Sequence, residues 1–264
     1  MTIILTILFL SFTNLLEVKD NSKTDAELII KLAKSQLNVP YIAGTLDTGL
    51  TEECVYNSNG LDCVTFVENT LATAKSLIDN ELTENNFEEK IVHYLTNTRY
   101  RGGINKGYIS RLHYTSDWIL DNIERGNFID ITSNIGGIKL DNQINFMSSH
   151  PENYKQLQAY PNLINKIKQI EQRLNHSDLF YIPKEQVNQN GIKTGDIICI
   201  ATNIEGLDYS HLGFALIEND SLKFIHASSE KKKVVISDNL KDYLMSNKKQ
   251  KGITVLRPIL KGIK

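Results

Sequence analysis

An α+β fold is predicted from three observations. Helical periodicity dominates the first two thirds of the chain, and short β-branched or aromatic runs crowd the last third. The 264 residues are 41% hydrophobic, enough for one sizeable core. Helices first and antiparallel strands last is the α+β order.

The elements follow in sequence. Thr24-Asp25-Ala26-Glu27 reads as a capping box, and Leu28, Ile29, Leu32, Ala33 and Leu37 continue it at helical spacing until Pro40. A loop rich in Gly, Thr, Asn and acidic residues runs from Gly44 to Gly60. Asp62 is a good N-cap for a second helix that turns Phe66, Val67, Thr70, Leu71, Ala74 and Leu77 inward. A third helix is predicted over Glu84–Thr96. Gly-rich turns and a helical Trp118-Ile119-Leu120 occupy Arg99 to Gly137, and Pro151–Leu174 is helical with an interruption at Pro161. Strands are predicted at Asp196–Ala201, His211–Ile217, Leu222–Ala227, Lys233–Ile236 and Ile253–Arg257, separated by turn residues such as Glu218-Asn219-Asp220-Ser221. There is no internal repeat or low-complexity linker. The expectation is one domain over 21–264, with a helical insertion at about 99–185.

Composition narrows the function. A formal net charge of −2 argues against a nucleic-acid protein, and Lys231–Lys233 and Lys248–Lys251 read as short solvated runs. Met1–Leu16 is apolar and ends near Glu17 and Asp20, too short for a stable bilayer span. Its character matches the hydrophobic region of a secretory signal, although no Lys or Arg precedes it. A signal segment is therefore expected over 1–20, with the mature protein periplasmic or secreted. Three cysteines, Cys54, Cys63 and Cys199, leave at least one thiol free of any intramolecular disulfide. A Cys54–Cys63 bond is conceivable after export but would block any chemistry at Cys63. No Cys-x-x-Cys pair or His-Glu-x-x-His helix occurs, so neither a metal site nor a cofactor is expected.

Two features carry chemistry. Gly60-Leu61-Asp62-Cys63-Val64-Thr65-Phe66 puts a cysteine in the first turn of an amphipathic helix. Unpaired N–H groups and the positive end of the helix dipole meet there. They favour a thiolate, lowering the thiol pKa, and can hold an oxyanion. On the helix alone, a nucleophile and a buried packing cysteine remain equal readings. The second feature is His211, in Ser210-His211-Leu212-Gly213-Phe214-Ala215, with His226 on the next strand in Phe224-Ile225-His226-Ala227-Ser228. In a hairpin the two rings can share a face. One histidine then serves as base, and the other fixes its tautomer.

These motifs, with Gly195-Asp196 between them, resemble the NlpC-type cell-wall cysteine peptidases. The resemblance implies a papain-like α+β fold, in which the helix of the nucleophile packs on a C-terminal antiparallel sheet. It also implies Cys63 as nucleophile, His211 as base and His226 in the third, orienting position. Pro40-Tyr41-Ile42-Ala43-Gly44 is similar to the family's Pro-Tyr-x-x-Gly segment, which makes Tyr41 an active-site hydroxyl. Val64 departs from the usual small residue after Asp-Cys, and the gap from Tyr41 to Cys63 is longer than in short members.

A narrower branch accounts for those departures. Glu68-Asn69-Thr70-Leu71-Ala72, Tyr100-Arg101-Gly102-Gly103, Gly107-Tyr108-Ile109-Ser110-Arg111-Leu112-His113-Tyr114, Asp117-Trp118 and Ser210-His211-Leu212-Gly213 resemble the N-acetylmuramoyl-L-alanine amidase-like branch, over about Leu28 to Arg257. The resemblance implies cleavage between the muramyl lactyl group and L-alanine in small peptidoglycan fragments, with preference for anhydro-muropeptides. Within the middle block, Arg111 or Arg101 can bind a stem-peptide carboxylate bidentately. Tyr108, Tyr114 and Trp118 either wall a sugar pocket or pack in the core, and Ser110 and His113 sit in the same block. His93, His150 and His176 are expected to be structural or surface residues. The alternatives are γ-D-glutamyl-diamino-acid cleavage in the stem peptide, acyl transfer on the same fold, and a non-catalytic wall-binding module.

Overall fold

The computed structural model describes residues 11–47, 49–141 and 143–261. Its helices are α1 (Phe12–Asp20), α2 (Asp25–Ser35), α3 (Cys63–Ile78), α4 (Phe87–Arg99), α5 (Thr115–Glu124), α6 (Phe146–Ser149), α7 (Lys155–Ala159), α8 (Leu163–Leu174) and α9 (Leu240–Met245). Its strands are β1 (Phe128–Asp130), β2 (Ile138–Lys139), β3 (Phe180–Pro183), β4 (Ile197–Thr202), β5 (Tyr209–Glu218), β6 (Ser221–Ser228), β7 (Lys233–Ser237) and β8 (Gln250–Pro258). The strands form one antiparallel sheet in the order β2-β3-β8-β4-β5-β6-β7, with β1 also paired to β8. The fold is therefore α+β, with several helices on an antiparallel sheet.

Strand β4 shows why the sheet has two covered faces. All six of its residues are buried. Ile197, Cys199 and Ala201 join the core shared with α2 and α3, while Ile198 and Ile200 face the opposite way, toward Leu240 and Leu244 of α9. A period of two with apolar residues on both faces marks a strand sandwiched between layers. A third cluster, including Tyr108, Tyr114, Met147, Leu157, Ile167 and Leu174, builds the helical region beside the sheet.

Most predicted elements recur with shifted ends. The predicted third helix becomes a 3-10 turn at Glu84–Asn86 followed by α4, and Pro161 falls between α7 and α8. Strands β1, β2 and β3 and helices α6 and α9 have no counterpart among the predicted elements. The region 99–185 supplies α5 to α8, but it also supplies β1, β2 and β3, so it is stitched into the sheet through β8. Of the expected signal segment, residues 1–10 lie outside the described residues. Phe12–Asp20 is helical, with Leu15 buried in the core beside α2 and α3 and Phe12 edge-on to Phe87 at 5.3 Å. Among the described residues no helix is long and apolar enough to cross a membrane.

One glycine is dictated by close approach. A Cβ on Gly213 would meet Ile225 O at 2.4 Å and the Phe224 ring at 2.6 Å. Since backbone cannot yield, Gly213→Ala is expected to cost about 1–3 kcal/mol in urea unfolding. An unchanged midpoint would show that β5 and β6 can separate to admit a methyl group.

Candidate active site

Cys63 is the first residue of α3. Its N-cap, Asp62, accepts a hydrogen bond from the Thr65 N–H at 2.8 Å, and Thr65 Oγ1 accepts one from the Asp62 N–H at 2.9 Å. Phe66 N–H donates to Asp62 O. This capping box uses the N–H groups of Asp62 and Thr65, two of the four that lack a partner within the helix, and leaves those of Cys63 and Val64 uncommitted. These two, with the Leu212 N–H of β5, are the groups that favour a negative sulfur. Burial and the neighbouring Asp62 outweigh them and push the thiol up to about 12. This reverses the lowered pKa expected from a helix start: the stabilising N–H groups are present, but the desolvation imposed by the packed cleft outweighs them.

On β5 and β6 the two histidines pair directly: His211 Nε2 lies 2.7 Å from His226 Nδ1, with the rings nearly perpendicular at 89°. Both are buried. Burial lowers His211 to about 4, while burial and the charge of His211 lower His226 to about 3, so both rings are neutral near pH 7. His226 stacks on Phe224 at 4.6 Å, and the Tyr243 ring of α9 sits 5.0 Å from His226 and 6.3 Å from His211. The Cys63 charge is among the causes that raise the Tyr243 and Tyr41 phenols, which puts both within electrostatic range of the cysteine. Tyr41 is held by a parallel bridge to Leu61 and by donating its N–H to Lys232 O at 2.9 Å. Burial, then Cys63 and Asp62, raise its phenol to about 12, which keeps it a hydrogen-bond donor. The structure thus gathers Tyr41, Cys63, His211 and His226 in one place and adds Tyr243, which the sequence did not signal.

The loop before Cys63 is tied down from several directions. Glu68 and Arg99 form a buried ion pair at 2.7 Å, and Arg99 Nη1 donates to Val55 O at 2.6 Å. Asn69 Nδ2 donates to Asn57 O, Tyr100 OH to Glu52 Oε1, and Gln156 Nε2 to Gly49 O. Arg111 is buried, pairs with the more exposed Asp47 at 2.5 Å, and lies 3.5 Å from Glu52. The Glu68-Asn69 and Tyr100 motifs therefore shape the cleft by gripping its loop.

The rest of the middle block is largely committed internally. Arg101 forks onto Asp117, which Arg173 also holds. Ser110 Oγ accepts from the Lys106 N–H and donates to Gly107 O. Tyr114 OH donates to Glu171 at 2.8 Å and accepts from the Met147 N–H. Trp118 is buried against Phe128 at 4.7 Å. Tyr108 carries Arg111 over its ring at 5.2 Å and borders a cleft of about 330 Å³ with Glu52, Gln156 and Tyr160. His93, His150 and His176 are all exposed. Cys54, Cys63 and Cys199 are all free thiols. Among the described residues no group of three His, Cys, Asp or Glu side chains can hold a metal ion.

His113 offers a clean pH test. Its Nε2–H donates to Tyr108 O at 2.8 Å, and burial, then Arg111, lower it to about 3. The unfolded chain takes up this proton near pH 6.5 and the folded one does not. The stabilisation is therefore complete above 6.5 and lost as pH falls toward 3. The stability gap between the protein and its His113→Gln variant is expected to shrink by about 2 kcal/mol on going from neutrality to about pH 5. A gap that stays constant with pH would contradict the buried neutral ring.

A helix-start cysteine whose sulfur meets the Leu212 N–H of β5, and a buried imidazole pair on β5 and β6, lie in one α+β protein. The chain belongs to the N-acetylmuramoyl-L-alanine amidase-like (AmiA-like) family, whose model matches residues 31–253. It is similar to the crystal structure of an N-acetylmuramoyl-L-alanine amidase from Bacteroides uniformis ATCC 8492. The two share 39% identity and a TM-score of 0.83, covering 89% of this chain and 99% of that one. A Bacteroides fragilis structure with a provisional xylanase name shares 37% identity, with a TM-score of 0.79 over 86% and 99% of the two chains. A Legionella pneumophila protein shares 27% identity, with a TM-score of 0.70 over 93% and 92%. No curated protein matches the chain.

Proposed function

We propose that the protein is a cysteine amidase that hydrolyses the N-acetylmuramoyl-L-alanine bond of peptidoglycan fragments outside the cytoplasm, on a papain-like NlpC-type core. The observation that carries this reading is the His211–His226 pair at 2.7 Å, set beside a helix-start cysteine. Family membership and the Bacteroides uniformis neighbour support the choice of bond. A glycosidase would instead place two carboxyl groups across the scissile bond. Here two phenols, Tyr41 and Tyr243, lie within electrostatic range of Cys63, and the adjacent Asp62 is committed to the helix cap.

In the resting site both thiol and imidazole are neutral. As the sulfur attacks the lactyl carbonyl carbon, its proton passes to His211, and the carbonyl oxygen becomes an oxyanion. The N–H groups at the start of α3 and the Tyr41 hydroxyl are positioned to hold that charge. His211 then protonates the L-alanyl nitrogen, the C–N bond breaks, and a thioester remains on Cys63. Water, deprotonated by His211, attacks the thioester and releases the muramyl acid and the thiol. Arg111 is the residue we assign to a stem-peptide carboxylate, since its partner Asp47 is much the more exposed of the two and can give way. Anhydro-muropeptides are the proposed substrates.

Incubation with an anhydro-disaccharide tetrapeptide, followed by mass analysis, tests the reading. Free anhydro-disaccharide plus an L-alanyl peptide is the expected result. A disaccharide dipeptide product would move the cut into the stem peptide and overturn the bond assignment.

A further inference from the structure

Behind the histidine pair, the chain of hydrogen bonds continues. His226 Nε2 lies 2.9 Å from Ser237 Oγ, at the end of the edge strand β7. Both residues line a cleft of about 560 Å³ between β6, β7 and α9. Its ionisable walls are Glu230, Lys231 and Lys233 near the β6–β7 turn, with Asp238, Asp242 and Tyr243 from the approach to α9 and α9 itself. His226 is almost fully buried and Ser237 half-buried, so the serine stands between the imidazole pair and this open cleft.

The direction of each hydrogen follows from the job of His211. If its Nδ1 is to accept the thiol proton, the neutral ring must carry its hydrogen on Nε2. That hydrogen points at His226 Nδ1, which must then be an acceptor. His226 therefore carries its own hydrogen on Nε2 and needs an acceptor there, and the Ser237 oxygen is that acceptor. In the opposite alignment Ser237 donates to His226, His226 donates to His211, and His211 holds a hydrogen on Nδ1. The thiol then has no base. No carboxylate is hydrogen-bonded to either ring among the described residues, and a serine hydroxyl can accept or donate, so it is the base role of His211 that requires Ser237 to accept.

Resting on the cysteine reading of the site, we propose that Ser237 is a positioning residue for the reaction, accepting the Nε2 hydrogen of His226 and so holding His211 in the tautomer that can act as base. Its own hydroxyl hydrogen turns toward the cleft. Four residues from α3, β5, β6 and β7, in the order Cys63, His211, His226 and Ser237, then work as one directed chain.

Two measurements on the full chain test this. In the first, ¹⁵N spectra of the histidine side chains, which need no substrate, are expected to show His226 with its hydrogen on Nε2, and a mixture of tautomers in Ser237→Ala. A wild-type His226 protonated on Nδ1 would overturn the proposal. In the second, Ser237→Ala is expected to lower kcat on the anhydro-disaccharide tetrapeptide about tenfold with KM nearly unchanged, while Ser237→Thr retains activity. Ser237→Asp, which offers a charged acceptor, should move the acid limb of the pH profile upward by about one unit. Equal losses in the Ala and Thr variants, or an acid limb that stays fixed in the Asp variant, would assign Ser237 to packing and sink the idea. If no protein turns the substrate over, the proposed function fails, while the spectra still decide the tautomer.

Discussion

Cys63→Ala is expected to abolish turnover of the anhydro-disaccharide peptide, with kcat falling by about 10⁴-fold or more. The fold should persist, because Cys63 is only partly buried and the cap that starts α3 is made by Asp62 and Thr65. His211→Ala should cost a similar factor, and the double variant little more than either single one, since a nucleophile and its base act as a unit. Losses that multiplied in the double variant would mean the two side chains act independently, contrary to the proposed proton transfer. Retained activity in Cys63→Ala would end the cysteine mechanism.

Arg99→Met is expected to be the most damaging change outside the site. Glu68 and Arg99 are each only 2% exposed, and burial already raises the Glu68 carboxyl despite its partner. Removing the guanidinium leaves a buried carboxylate unpaired, at a cost of about 3–5 kcal/mol in urea unfolding. It also frees Val55 O, so the loop before Cys63 should loosen and KM should rise. Glu68→Leu combined with Arg99→Met should recover much of the stability without recovering KM, because replacing both charges removes the desolvation penalty but not the lost tether. If the double variant is as unstable as the single one, the damage comes from packing and not from the stranded charge.

The local signals were the legible ones. The Asp62 cap, the apolar face of α3 and the β-branched runs of β4 to β8 all lie within a few residues of the features they define. The His211–His226 pairing was readable because the two lie on adjacent hairpin strands, just beyond the end of their ladder, where their rings can share a face. What escaped depends on distant partners. Nothing near Arg101 and Arg111 in sequence signals their ion-pair partners, Asp117 and Asp47, which lie 16 and 64 residues away. Strand β1 has three residues and β2 two, too few for any periodicity, and α9 is a six-residue helix. Tyr243 therefore reached the site from an element with no strong pattern of its own, and Ser237 lies one residue past the predicted end of β7. The rise of the Cys63 pKa belongs to the same class, since desolvation is a property of the assembled cleft.

The position of β4 has a consequence for motion. A strand buried along its whole length in the middle of a sheet opens to solvent only when the domain as a whole unfolds. Leu212, whose N–H faces the Cys63 sulfur, is paired directly to Cys199 of that strand. Ser237 lies at the other extreme, on the sheet's last strand. The Leu212 N–H beside the Cys63 sulfur is thus fastened to the part of the sheet that should exchange slowest, while the outer end of the His211–His226–Ser237 chain sits where fraying begins. Temperature and mild denaturant should therefore disturb proton handling before they disturb the nucleophile.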